Sequence, residues 1–465
     1  MINKGVEGIK LEFSFQLWEM KMKLFEALTL KFEKPDWARN PEFGLIDTLL
    51  DAHPELLKIV ESDIMQGCKQ SDFGRQDTPS VEQIFRAALY KELKQLDYRD
   101  LEYHQSDSRI CAQFLKIDEL RPYSFQMYHK YISKIKAENL QRLLVSLNTI
   151  AIKEGIENLE KLRQDSTVTE TNIHYPTNNS LVWDCIKESH RLLTQLEDEI
   201  KDLNYRDYTL SAKRIFYKIN NTKSGDKRVD LFKRQLITFT KCINQVANAI
   251  KKKNHCSIMA MGIITELEKV LPVMEQVYSV TLRRELNNET VGNADKLFSI
   301  YEKHTDIIVK GSREVQFGHK INLSTGKSNL ILSCEILKGN PPDKILYQPT
   351  LDKVIKDYKI IPRDSVTDGG YATIENSIYA QQKGIINIVF NKVVGSLQNI
   401  TSSLSMEKRL QKWRSGIEAN ISNLKRGFGL HRCNWKGFDH FCSKVMWSVL
   451  GYNIRVMTTA LLQNV

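Results

Sequence analysis

Residues 184 to 300 read as helix almost throughout, from WDCIKESHRLLTQLEDEIKDL to IITELEKVLPVMEQVYSVTLRREL, and carry no alternating strand pattern. Strand signals flank this block on both sides. Before it, LRQDSTVTETNIHY contains Val168 and Thr169, residues that favour extended chain. After it, Val315, Phe317, His319, Ile321 and Leu323 alternate with Glu314, Gln316, Gly318, Lys320 and Asn322, which predicts a half-buried strand. NLILSCEIL predicts a second, more buried one. TLDKVIKDY then reads as a short helix, SVTDGGYA as a strand ending at Asp368, IENSIYAQQKG as a helix, IINIVF as a strand and residues 408 to 428 as a helix. The class is therefore α/β. If one sheet takes all these strands, a helical insertion separates its first strand from the rest.

The chain before residue 160 is helical by pattern. Residues 1 to 75 form a mixed extension with a helix over GLIDTLLDAHPELLKIVESDIM, partly broken by Pro54. Ser80 with Gln83 three residues on makes a capping box, and Val81, Ile84, Phe85, Ala88, Leu89 and Leu93 follow at helical spacing. Further helices are predicted over DYRDLEYHQ, SRICAQFLKI, SFQMYHKYISKI and AENLQRLLVSLNTIAIKEGI. The LRPYS turn, followed by a helix with Gln126, Tyr128, His129, Lys130, Lys134 and Lys136, has the form of a helix-turn-helix, although a plain helical bundle has the same pattern.

Charge narrows the partner. Sixty-seven Lys and Arg against 56 Asp and Glu leave a formal charge of +11, which favours a polyanion. The excess is local: residues 201 to 253 hold 14 basic and 4 acidic residues, ending in Lys251, Lys252 and Lys253, and residues 401 to 436 hold 8 and 2. The eight cysteines show no paired spacing, which suits a reducing compartment. His431, Cys433, His440 and Cys442 fall on ground that reads as helical, and are taken as buried cysteines and ordinary polar histidines rather than a zinc site. No leader-like apolar run or membrane-spanning stretch is seen, so an intracellular protein is expected.

Three carboxylates stand out. On the helix at 408 to 428, Leu410, Trp413, Ile417, Ile421 and Leu424 form an apolar stripe, with Arg414, Glu418 and Lys425 along its flank. Asp165 precedes Ser166 and Thr167 in the first strand, and Asp368 precedes two glycines that permit a sharp turn. The spacing Arg414-x3-Glu418-x6-Lys425 matches three positions of the Tyr-Arg-Glu-Lys signature; Gln411 stands where tyrosine is usual. With Asp165 and the Asp368-Gly-Gly-Tyr segment, this resembles the DDE transposases of bacterial insertion sequences, over about residues 75 to 183 and 301 to 465.

That resemblance implies a ribonuclease-H-like mixed sheet interrupted by a large helical insertion and preceded by an all-helical N-terminal domain. The implied division is an extension at 1–75, a DNA-binding helical domain at 76–160, a catalytic domain at 161–183 and 301–465, and a basic insertion at 184–300. Asp165, Asp368 and Glu418 would be catalytic and would ligate two Mg²⁺ ions, or Mn²⁺ in their place. Arg414, Lys425 and Arg426 would hold phosphates beside the cut, and Lys251, Lys252 and Lys253 would add a second DNA contact. The implied partners are double-stranded DNA, as terminal inverted repeats and as target, and a second copy at synapsis, in a cytoplasmic, nucleoid-associated setting. Two other readings stay open: a DNA-binding regulator without catalysis, and a structure-specific nuclease on the same fold. His319 needs no catalytic role in any of them.

Overall fold

Strand β1 (Lys161–Thr171) is the axis of a mixed seven-stranded sheet. One edge of β1 pairs antiparallel with β3 (Gln316–Thr325), from Arg163 opposite Thr325 to Glu170 opposite Gly318. The first residues of β1 pair in parallel with β5 (Asp364–Asp368), which continues in parallel to β6 (Asn387–Asn391). Its last residues, Glu170 and Thr171, pair in parallel with β7 (Arg432–Cys433). β3 also carries β2 (Asp306–Ile308) and β4 (Ile331–Ile336), both antiparallel to it. The computed structural model describes residues 40–67, 78–118, 121–200, 203–255, 257–309, 314–391 and 397–463. Most of the 1–75 extension, with Cys68, Leu120 of the LRPYS turn and Cys256, lies outside them.

The chain divides into two units, residues 1–157 with 447–465, and residues 158–446. This division differs from the sequence boundaries. Residues 184–300 do not separate from the sheet, and the last 19 residues leave it to join the N-terminal helices.

In the first unit, α1 (Pro41–Ala52) and α2 (Glu55–Ile64) are parted at His53 and Pro54, because proline ends the preceding helix. The capping box forms at α3 (Val81–Lys94): Gln83 N–H donates to Ser80 Oγ at 3.1 Å and Ser80 N–H to Gln83 Oε1 at 2.9 Å. Arg86 of α3 is fully buried and meets Asp47 at 2.6 Å, Asp51 at 3.0 Å and Glu82 at 2.8 Å, which fastens α1 to α3. Helices α4 (Tyr98–Asp107), α5 (Arg109–Leu115), α6 (Phe125–Ile132) and α7 (Ala137–Lys153) lie where the periodicity places them. On and after α6, however, two of the polar residues named for groove contact are committed elsewhere. Tyr128 is buried with its hydroxyl on Gln105 Oε1 at 2.6 Å, and Lys134 Nζ donates to Gln66 O at 2.8 Å; Gln126, His129 and Lys130 stay exposed.

In the second unit, α8 (Asn178–Glu197), α9 (Thr209–Asn220), α10 (Asp226–Ile250) and α11 (Ile258–Thr281) enclose an apolar cluster that includes Leu193, Phe239, Val246, Ile264 and Met274. β3 departs from the half-buried strand expected of its alternation. From Gly318 to Thr325 both faces are buried, so Lys320, Asn322 and Ser324 lie in the interior beside Ile321 and Leu323. They are tolerated because they are paired. Asn322 Nδ2 donates to Thr350 Oγ1 at 2.7 Å on α12 (Tyr347–Tyr358), and Ser324 Oγ lies 2.8 Å from Ser333 Oγ. After α13 (Ile374–Gln382), the predicted helix at 408–428 is two helices, α14 (Leu404–Arg414) and α15 (Gly416–Gly427), meeting at Ser415. Residues 432 and 433 are strand β7 rather than helix, and the final helix α16 begins only at Phe438 and runs to Gln463. Among the described residues no helix is long and apolar enough to cross a membrane.

Candidate active site

The parallel pairing of β1 with β5 holds one register, Lys161 opposite Asp364 through Gln164 opposite Thr367. One further step along both strands brings Asp165 level with Asp368. Their separation of 203 residues in sequence is thus the offset of the register itself. Arg163, Asp165 and Thr169 alternate onto the same face of β1, and all three bond into the segment from Trp413 to Leu430. Glu418 enters from the first turn of α15, one helical turn after Arg414.

The three carboxylates surround one guanidinium. Arg414 Nη2 lies 3.3 Å from Asp165 Oδ2 and 3.7 Å from Asp368 Oδ1, and its Nη1 lies 3.2 Å from Glu418 Oε1. Arg414 is only 7% exposed, and its buried Nε has no hydrogen-bond partner. The carboxylates become more open outward: their side chains are 19%, 45% and 64% exposed at Asp165, Asp368 and Glu418. Asp165 is further oriented by Ser166 N–H, which donates to its Oδ1 at 2.7 Å. Among the described residues, no three His, Cys, Asp or Glu side chains are gathered as they stand around a single metal position; here the guanidinium lies between the three. The set is nevertheless all-oxygen and anionic, the chemistry that hard divalent cations require.

The charge of Arg414, expected beside a phosphate, is directed here at the carboxylates. Lys425 lies on α15. It is half-buried, burial pushes its ammonium below the usual lysine range, and Glu170 opposes that shift. Arg426 is exposed and has no ion-pair partner among the described residues. Gln411, at the tyrosine position, donates to Glu407 Oε1 at 3.2 Å. Lys251, Lys252 and Lys253 form a short turn after α10, where Lys253 is held by Glu268 at 2.7 Å.

Two residues that the sequence did not single out position this site. Arg163, 1% exposed, donates to Thr325 Oγ1 at 2.8 Å, to Trp413 O at 2.7 Å and to Asn329 Oδ1 at 2.5 Å, and its guanidinium lies 4.6 Å from the Trp413 ring centroid. It takes a carbonyl at the α14–α15 junction, which locates the step from Arg414 to Glu418. Gly416 leaves room for it, since a Cβ there would stand 2.4 Å from Arg163 Nη1. Asp343 is the second. Its Oδ1 accepts from Ser166 Oγ at 2.9 Å and meets buried Lys320 at 2.7 Å, on the sheet face opposite Asp165.

The two glycines after Asp368 also have a different reason from the one expected. Gly369 to Tyr371 form a 3-10 turn without positive φ, and Gly370 abuts Asp343, whose Oδ2 would be 3.2 Å from an added Cβ. An Arg in an expected strand and a Gly within the helix expected at 408–428 were the available signals for Arg163 and Gly416. Neither has meaning until the two are seen in contact.

His319 lies apart from the carboxylates in a buried cluster. Its Nε2 is 2.7 Å from His304 Nδ1, and its Nδ1 faces Leu337 O and Asp306 Oδ2, each at 3.3 Å. His304 Nε2 contacts Glu302 Oε2 at 2.9 Å, and Phe438 and Phe441 close over the rings. No family model, curated protein or solved structure matches this chain.

Proposed function

We propose that this chain is a DDE transposase, which binds the terminal repeats of a mobile element and carries out metal-dependent cleavage and transfer of DNA strands. The observation that carries this reading is the convergence of Asp165, Asp368 and Glu418, from β1, β5 and α15, on the guanidinium of Arg414. Three acidic side chains from distant segments surround one cationic group beside the paired strands β1 and β5. Further support comes from the strand arrangement: β4, β3 and β1 antiparallel, then β1, β5 and β6 parallel, as in a ribonuclease-H-like sheet.

In this reading Asp165, Asp368 and Glu418 would hold Mg²⁺, or Mn²⁺ in its place, and the ions when bound supply Lewis-acid stabilisation of the attacking and leaving oxygens of the phosphodiester. Water would first free the 3′ end of the element, and that hydroxyl would then attack target DNA. The chain itself orients these groups. Arg163 holds the α14–α15 junction, Ser166 N–H aims Asp165, and Asp343 backs the turn that follows Asp368. Exposed Arg426, on the same helix as Glu418, and half-buried Lys425, beside Glu170, would contact phosphates near the cut.

The test uses labelled duplex carrying an inverted repeat taken from DNA flanking the gene, incubated with Mg²⁺, with complex formation and nicking scored separately. Glu418→Gln keeps the size of the side chain and removes its charge; it is expected to bind the duplex like wild type and to nick it at least about 100-fold more slowly, the range found when a group that stabilises the transition state is removed. Nicking at the wild-type rate by Glu418→Gln would overturn the catalytic assignment and leave a DNA-binding regulator in its place.

A further inference from the structure

We propose that the solvent face of α9, continued through its turn into α10, is a docking surface for the phosphate backbone of duplex DNA. The proposal rests on the DNA-processing reading and locates the insertion's contact away from Lys251, Lys252 and Lys253. At 100° per residue, Leu210, Lys213, Arg214, Tyr217 and Lys218 fall on one arc of α9, while Ala212, Phe216 and Ile219 take the other. The outward arc is exposed throughout, with Tyr217 at 53% and Leu210 at 63%. α9 contains no acidic residue.

The turn and α10 add Lys223, Lys227 and Arg234, which are also exposed. Among the described residues none of Lys213, Arg214, Lys218, Lys223, Lys227 or Arg234 has an ion-pair partner. The acids nearest in sequence are Asp207, Asp226 and Asp230; Asp207 lies 3.2 Å from His190, and Asp230 is already 3.4 Å from Lys233. By contrast Lys253 is neutralised by Glu268. Lys213, Arg214 and Lys218, on a helix without acids, form a cationic face whose complement is polyanionic, and the exposed tyrosine hydroxyl among them is a further phosphate donor.

The hairpin is rigidly seated. Asn179, 1% exposed at the start of α8, donates to Phe216 O at 3.0 Å and Asn220 Oδ1 at 2.8 Å, and it accepts from Gln235 Nε2 of α10 at 2.6 Å. Arg228 closes the turn by donating to Thr222 O at 3.1 Å. α8 begins at Asn178, six linking residues after β1 ends at Thr171. Those residues span at most roughly 20–25 Å, so the end of α9 is tethered within about one duplex width of the rim to which the Asp165 strand runs.

The experiment measures binding of a fluorescent duplex carrying the inverted repeat by full-length protein, across potassium chloride from about 50 to 300 mM, with and without the triple change Lys213→Ala, Arg214→Ala and Lys218→Ala. Each phosphate contact contributes about 0.9 to the slope of log affinity against log salt. The triple variant is expected to flatten that slope by about 2 to 3 and to bind at least about 10-fold more weakly at the lowest salt, with an unchanged melting curve because all three side chains are exposed. Tyr217→Ala should weaken binding without changing the slope. An unchanged slope and affinity in the triple variant, while wild type binds and nicks the duplex, would overturn the docking surface and leave the transposase reading in place. A wild-type protein that binds no duplex at any salt would overturn both.

Discussion

Arg163 shows how one side chain can position a site it does not enter. It is almost without solvent contact, and three acceptors from three segments, Thr325, Asn329 and Trp413, depend on its guanidinium. Replacing it with Met preserves much of the volume but leaves these acceptors without their donor, at a cost on the order of 3 kcal/mol. Chemical denaturation of Arg163→Met should give that loss, and the variant should nick DNA more slowly than wild type even at temperatures where it is fully folded. Gly416→Ala tests the same contact from the other side. The added Cβ meets Arg163 at 2.4 Å, so about 1–3 kcal/mol of overpacking is expected, although alanine is the better helix former. A melt of Gly416→Ala that rises instead would show that the guanidinium can move aside freely.

At the scale of elements, the β1–β3 pair and the buried histidine cluster invite separate tests. Gly318 faces Glu170 across that pair, and a Cβ at Gly318 would stand 2.0 Å from Thr169 O, a backbone atom. Gly318→Ala should therefore cost about 3 kcal/mol or more, measured as a drop in denaturation midpoint. The histidines depend on pH. The 2.7 Å contact between His304 and His319 needs one N–H between them, and a second proton would set two N–H groups face to face. Burial first, and then His304, hold the His319 imidazole below its ordinary value of 6.5, against the opposing pull of Asp306. A histidine with a lowered folded pKa is neutral in the fold while the unfolded chain takes up a proton. Its contribution is therefore complete above about 6.5 and is lost as the pH falls from there toward the folded value. Thermal melts should show stability falling below pH 6.5, and His319→Phe should reduce that slope. An identical slope in the variant would assign the acid sensitivity to other groups.

For the whole molecule, the path of the last helix matters most. α16 starts beside the sheet but its residues from Trp447 onward belong to the N-terminal helical unit, where Trp447 packs on Phe85 and Asn453 donates to Asn148 Oδ1 at 2.9 Å. A chain ending at Met446 should lose the cooperative melting of the N-terminal helices and expose them to protease. The sheet unit should keep its protection. Loss of both units together would show that they fold as one.

The local features were legible because their causes are local. The Ser80 capping box, the helices from α3 to α7, β1, the end of β5 at Asp368 and the helical run from α8 to α11 follow from side-chain spacing and backbone preference, which act over a few residues. The candidate carboxylates rest on the resemblance as well, Asp165 in its Asp-Ser-Thr setting, Asp368 before two glycines and Glu418 at helical spacing from Arg414. What only the tertiary structure decided are relations between distant segments. Asp165 and Asp368 are brought level by the register of a parallel pair, which hydrogen bonds set and neither strand encodes alone. Arg414 points at carboxylates rather than at solvent because the α14–α15 junction rests on Arg163. β3 is buried on both faces, despite its polar alternation, because Asn322 and Ser324 find partners on other elements. Lys134, Lys253 and Tyr128 are lost to long-range contacts that carry no signature in sequence, since whether a polar side chain stays free depends on what the fold sets beside it.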